Sequence, residues 1–284
     1  MTTLKVGGVP EHFNLPVHLA IEDGSFSRAG LEIEWQDYPG GTGAMTQALR
    51  KGEMDICILL TEGIIADIIK GNPSKIISGY VKSPLIWGIH TIANSKELAK
   101  ESIYDEKIAI SRKGSGSHLM PIVDALYKGK SIDEDQFVVI RDIDGALESL
   151  GNEESTIFYW EKYTTKPFVK AGKLHRIGEF ISPWPCFMIA AREASIANNP
   201  AELDAFLKVL HQSCEKFMRN DQAPRLVSER YGIELTDARY WFHSTEWTTD
   251  SWVSDKTLMS VVFALKEAGI IEEEASEDSL VWKR

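Results

Sequence analysis

The run "ICILL" at Ile56–Leu60 is apolar at every position. A strand of this kind has no solvent face, so it needs a sheet covered on both sides, as in the mostly parallel sheets of α/β folds. The flanking sequence supplies the cover. Leu4 to Val9 reads as a first strand broken by Pro10, and Asn14 is placed to cap a helix over residues 15–23 that stops at Gly24. "SFSRAG" reads as a turn closed by Gly30, and "LEIEW" alternates apolar with charged residues as a half-buried strand does. Residues 38–43, "YPGGTG", then form a glycine-rich loop before a helix that carries Met45 and Leu49 and ends at Gly52. Beyond the apolar run, "GIIADIIKGN" is helical and "KIISGYV" extended. Strands and helices alternating over short links define a right-handed α/β layer.

From residue 107 the same logic recurs. "KIAIS" is a strand, "RKGSGS" a Gly/Ser loop, and "HLMPIVDALYKG" a helix with Pro121 near its start and Gly129 at its end. "FVVI", "DGALESLGN" and "TIFYW" follow as strand, helix and strand. Two extended runs, "PLIWGIHTIA" at 84–93 and "CFMIAA" at 186–191, lead into and out of this block. Residues 199–284 are mainly helical, so they must pack on a sheet built by earlier residues. The expected fold is α/β with two lobes: residues 1–88 begin lobe 1, 89–188 form an inserted lobe 2, and 189–284 return to lobe 1. The extended crossings near 84–93 and 186–192 are expected to act as a two-strand hinge.

Composition removes several function classes. The formal charge is −11 and no basic run exceeds the length of Arg112–Lys113, which excludes nucleic acid as a partner. No stretch approaches the roughly 18 apolar residues of a spanning helix, and the start lacks a basic segment followed by an apolar one. The expectation is therefore no membrane insertion and a cytoplasmic location as written, or a periplasmic or surface-anchored one if a leader has been removed. Cys57, Cys186 and Cys214 lie in apolar surroundings without C-x-x-C spacing and read as reduced core residues. The seven histidines show no metal-ligand spacing, and neither a G-x-S-x-G elbow nor a Walker-type lysine occurs. No metal, cofactor or catalytic residue is called for.

In open α/β sheets ligands bind beyond the carboxyl ends of the strands, where "YPGGTG" and "SRKGSGS" both lie. Each loop would offer bare backbone N–H groups at a helix start to one shared cleft. Gly40, Gly41, Thr42 and Gly43 are the candidates on one wall, and Gly114, Ser115, Gly116 and Ser117 on the other. The plain alternatives are a tight strand-to-helix turn, and for Ser117 a helix N-cap.

At this point the chain resembles a known family. "PEHFNLP", "A-x3-GSF-x3-GLEIEW", "GGTGAMTQAL", "KGEMDI" and "RKGSGS" together, over nearly the whole chain, are similar to the type II periplasmic-binding-protein fold. The branch resembled binds alkanesulfonates, taurine, nitrate and the pyrimidine precursor of thiamine, and the likeness is to its members without signal peptides. The resemblance implies capture of a small polar, anionic or pyrimidine-like ligand by hinge closure. It also implies an ABC-type transporter, or another protein reading the ligand state, as partner. Residues at the bend after strand one would reach the cleft: Glu11, His12, Phe13 and Asn14, with Phe13 either stacking on a flat ligand or stapling the following helix. Thr61 and Glu62 end the third strand, Glu62 serving as a helix-start carboxylate or as an acceptor for an amine. Trp160 and Glu161 end a lobe 2 strand, and Trp184 sits between two prolines before the return crossing. Trp87 is left to packing. Two alternatives stay open: an enzyme related to thiamine-pyrimidine synthesis, whose cysteine-rich iron motif has no counterpart here, and a ligand-sensing module.

Overall fold

The computed structural model describes residues 1–93, 103–273 and 275–283. Ten strands occur among them: β1 (Thr2–Gly8), β2 (Leu31–Asp37), β3 (Ile56–Leu60), β4 (Ser74–Val81), β5 (Ile86–Ile92), β6 (Ile108–Ile110), β7 (Phe137–Val139), β8 (Ile157–Glu161), β9 (Leu174–Ile181) and β10 (Phe187–Arg192). They form two five-stranded sheets, ordered β2-β1-β3-β10-β4 and β7-β6-β8-β5-β9. The orders are equivalent position by position, so the second lobe repeats the plan of the first. In each sheet the strand reached by a crossing between lobes runs against the rest. β10 is antiparallel to β3 and β4, and β5 is antiparallel to β8 and β9, whereas β1 is parallel to β2 and β3, and β6 to β7 and β8. The chain passes between lobes over residues 82–85 and 182–186, each passage leading straight into its antiparallel strand.

All five residues of β3 are buried, as an apolar strand in the middle of a doubly covered sheet requires. The cover comes from both ends of the chain: the helix Leu15–Glu22 packs on Pro200–Met218, and Asp255–Glu267 packs on Thr61–Ile69. Cys57, Cys186 and Cys214 are buried free thiols, and burial pushes each thiol up from its ordinary value. "SFSRAG" departs from the expected turn, since Ser25–Arg28 completes one helical turn after a left-handed Gly24. Strand β9 and the helices Lys162–Lys170 and Leu235–Ser244 are elements that the sequence pattern does not announce.

The loop after β1 is tied down at one carbonyl. Phe13 O accepts from Tyr80 Oη at 2.8 Å and from Trp247 Nε1 at 3.0 Å. Trp247 is fully buried among the rings of Phe217, Trp241 and Phe242. A segment from the C-terminal third thus sets the position of residues near the N-terminus. Among the described residues no helix is long and apolar enough to cross a membrane.

Candidate functional site

The lobes meet over a cavity of about 40 Å³. Lobe 1 walls it with Val9, Glu11, Gly41, Thr42, Leu60 and Phe187. Lobe 2 contributes Trp87, Ser111, Ser115, Gly116, Ser117, Trp160 and Glu161, with Leu85 at the crossing. That volume holds about three water-sized groups, so the lobes stand nearly closed.

Glycine makes the approach possible on both sides. A Cβ at Gly40 would lie 1.9 Å from Arg112 Nη2, and one at Gly43 would lie 2.8 Å from Arg112 Cγ and 3.1 Å from the Lys113 carbonyl. From the other side, a Cβ at Gly116 would lie 2.2 Å from Leu60 Cδ1. Gly41 has φ 68° and ψ −159°, a conformation open essentially to glycine alone, and it turns the chain into the helix Thr42–Lys51. Arg112 is therefore an interlobe residue, lying across the lobe 1 loop with its buried Nε unpartnered. At the rim, Lys166 and Lys170 of lobe 2 pair with Asp237 and Glu234 of lobe 1.

The loop side chains mostly hold each other. Thr42 Oγ1 accepts from the Leu60 N–H at 3.0 Å. Ser117 Oγ accepts from the Ser111 N–H at 2.9 Å, Ser115 Oγ donates to Arg112 O at 2.7 Å, and the Ser115 and Ser117 hydroxyls are 3.0 Å apart. Glu161 takes three donors on Oε2, from Tyr163 N, Thr164 N and Thr164 Oγ1, and so caps the helix Lys162–Lys170. The Trp160 indole N–H faces Glu11 and acts to hold its carboxyl down. Trp87 Nε1 is buried without a partner although its residue lines the cavity.

Of the residues expected from sequence, Glu11, Gly41, Thr42, Ser115, Gly116, Ser117, Trp160 and Glu161 meet at the cavity. The others stand outside its lining for identifiable reasons. Phe13 is core, packed on Phe187 and Trp241. Asn14 donates to Val9 O at 2.8 Å and thereby ties the loop. His12 is wedged between Phe13 and Trp241, with Nε2 3.9 Å from Glu161 Oε2. Gly40 and Gly43 face Arg112, and Gly114 at φ 77° donates its N–H to His118 Nδ1 at 3.1 Å. Thr61 Oγ1 donates to Pro185 O at 2.5 Å, which fastens the return crossing. Trp184 Nε1 donates to Glu62 Oε2 at 2.9 Å behind the wall, and Glu62 Oε1 is left buried without a partner. Sequence reasoning passed over Trp87, Ser111 and Arg112. A tryptophan inside an apolar strand reads as core, and a single arginine beside a glycine loop carries no pattern.

The electrostatics are acidic. Burial, then the charge of Glu161, pushes Glu11 up to about 8. Burial pushes Glu161 up to about 7 against its hydrogen bonds, and Glu62 up to about 7 against the Trp184 N–H. Burial also pulls His12 down to about 3, so it is neutral and supplies no compensating charge. Each carboxyl binds its proton more tightly here than at the ordinary 4.5. Relative to the unfolded chain, the stability these carboxyls contribute is full below about pH 4.5 and is lost as pH rises through about 7 to 8, and the part of it that acts between the lobes is the repulsion of Glu11 by Glu161. Small-angle scattering of the ligand-free protein is expected to show a smaller radius of gyration at pH 5.5 than at pH 8.5, about three pH units higher, and an unchanged radius would remove this account.

A family model described as Ca3427-like PBP matches residues 87–180, the second lobe. The Candida albicans CA3427 gene product, described as defining a family with the generic periplasmic binding protein fold, is 29% identical. It superposes with a TM-score of 0.92 over 100% of this chain and 97% of its own. The alkanesulfonate-binding protein SsuA from Xanthomonas axonopodis pv. citri is 12% identical, with a TM-score of 0.81 over 99% of this chain and 98% of its own. The nitrate-binding protein NrtA from Synechocystis PCC 6803 is 17% identical, with a TM-score of 0.70 over 98% of this chain and 84% of its own. No curated protein is similar enough in sequence to count as a relative. The chain thus has the generic periplasmic binding protein fold over its whole length, and its second lobe is similar to the Ca3427-like proteins.

Proposed function

We propose that the protein captures one small polar ligand between its lobes and closes over it. The observation that carries this reading is that helix-start loops from both lobes, at Gly41–Thr42 and Ser115–Ser117, wall one cavity. Backbone N–H groups at such starts have no partner within their own helix and suit acceptor atoms of a ligand. Trp87 and Trp160 add flat apolar faces, and the unpartnered Trp87 N–H adds a donor. A ring-sized ligand of the pyrimidine kind needs the lobes further apart than they stand here, whereas a compact ion fits as they are. A Staphylococcus aureus protein of the same fold is described as the ligand-binding component of an ABC-type import system, which suggests that here too the closed, loaded form is read by a transporter or another protein.

The test is native mass spectrometry of the purified protein, followed by denaturation and identification of whatever is released. Returning that compound to emptied protein is expected to change tryptophan emission, because Trp87 and Trp160 line the cavity. Replacing both with Phe is expected to remove most of the change. A compound that binds with full affinity and leaves the emission untouched occupies some other site.

A further inference from the structure

The two walls of the cavity carry the same sign of charge. Glu11 reaches it from the loop after β1 and Glu161 from the end of β8, so closing the lobes brings a carboxyl from each to one small space. Glu62, almost fully buried behind them, has an oxygen without a partner. Among the described residues no lysine or arginine lines the cavity. Arg112 is directed at Gly40, and His12 beside Glu161 is neutral. Among the described residues the Cys186 thiol and the Tyr231 hydroxyl also face Glu11 and provide no positive charge, and Lys162, a cation acting on Glu161, is paired with Glu179 and does not line the cavity. Two like charges this close oppose closure unless a proton or a cation lies between them. The flanking faces of Trp87 and Trp160 favour a flat cation.

We propose that the ligand carries a compact planar cationic N–H donor of the amidinium or guanidinium class, held between Glu11 and Glu161 so that it bridges the lobes. This rests on the reading of the cleft as the ligand site, and it adds the group facing the acidic wall to the acceptor atoms facing the loops. A forked N–H pair suits the carboxylate of Glu11, and a further N–H of the same planar cation suits Oε1 of Glu161, whose Oε2 is filled by Tyr163 and Thr164. In the empty closed form Glu11 keeps its proton; as the cation arrives the carboxyl O–H bond breaks, the proton passes to solvent water and the electron pair stays on the carboxylate, with no other covalent bond changed.

Guanidinium and nitrate make a matched pair of probes, planar ions of similar shape and opposite charge, and acetamidinium and acetamide differ chiefly in charge. Titration calorimetry and scattering at neutral pH are expected to show guanidinium and acetamidinium binding and closing the lobes, with nitrate, methanesulfonate and acetamide inert. Glu11→Gln is expected to weaken the cations by at least about tenfold and, with the repulsion gone, to close the empty protein. A merely structural role for Glu11 would produce the first effect without the second. Closure by nitrate or methanesulfonate and not by guanidinium overturns the charge class and leaves capture standing. If no probe closes the lobes and the compound released from native protein lacks a cationic N–H group, this proposal fails. If nothing is released and no compound closes the lobes, the capture reading fails with it.

Discussion

Gly43→Ala is expected to leave the fold intact while removing most ligand-driven closure. Position 43 lies in the first turn of the helix Thr42–Lys51, where alanine in place of glycine favours the helix by up to about 1 kcal/mol. Lobe 1 alone is expected to accommodate the methyl group, because the three nearest neighbours it would meet belong to lobe 2. They are Arg112 Cγ at 2.8 Å, Arg112 Cδ at 3.0 Å and the Lys113 carbonyl at 3.1 Å. Two of these are the stem of Arg112 and the third is backbone, so none is the easily moved tip of a side chain. Thermal unfolding of the empty variant should match or slightly exceed the parent. Affinity for the ligand should fall by roughly one to two orders of magnitude, the size of overpacking effects of about 1–3 kcal/mol. Adding Arg112→Ala removes the stem and is expected to restore part of the affinity. Equal losses of stability and affinity in Gly43→Ala would mean that the glycine serves the helix and has no part in closure.

Trp247→Ala should give the largest loss of stability. The ring is fully buried, packs against three other aromatic side chains, and donates to Phe13 O at 3.0 Å. Truncating such a residue costs about 3–5 kcal/mol, and a chain of this size loses on the order of 10 °C in Tm. Trp247→Phe keeps most of the packing and drops the hydrogen bond, at about 1 kcal/mol. Because the bond anchors the loop carrying Glu11, both variants are expected to weaken ligand binding by more than a substitution in the Pro200–Met218 helix of equal effect on stability. Binding losses that only track stability would show that the Phe13 carbonyl anchor has no positioning role.

Patterns of burial were legible where they are local. The apolar run of β3, the glycine stops at Gly24 and Gly52, and the repeat of strand, glycine loop and helix in the second lobe each follow from short-range rules, and together they imply the two-lobed plan. Strand β9 was hidden because most of its positions are partly or fully exposed, which blurs alternation. The helix Lys162–Lys170 was hidden because Pro167 and its threonines argue against a helix, while its start signal is the side chain of Glu161, a residue that also ends a strand. In the site, loop positions could be read from glycine and serine, but the direction of individual side chains could not. His12, Phe13, Glu62 and Trp184 belong to the right segments and turn behind the wall, where tertiary partners hold them. Trp87 turns the opposite way, out of an apolar strand and into the cavity.

The buried state of all three cysteines allows selective labelling elsewhere. Exposed Lys51 in lobe 1 and Lys128 in lobe 2, each changed to Cys and spin-labelled, report the separation of the lobes. Pulsed dipolar spectroscopy of this pair is expected to show a broad or longer distance in emptied protein at pH 8.5, above the Glu11 value of about 8. On adding the compound recovered from native protein, it should collapse to one short distance. A distribution that stays the same while that compound is bound would contradict closure around a shared interlobe cavity.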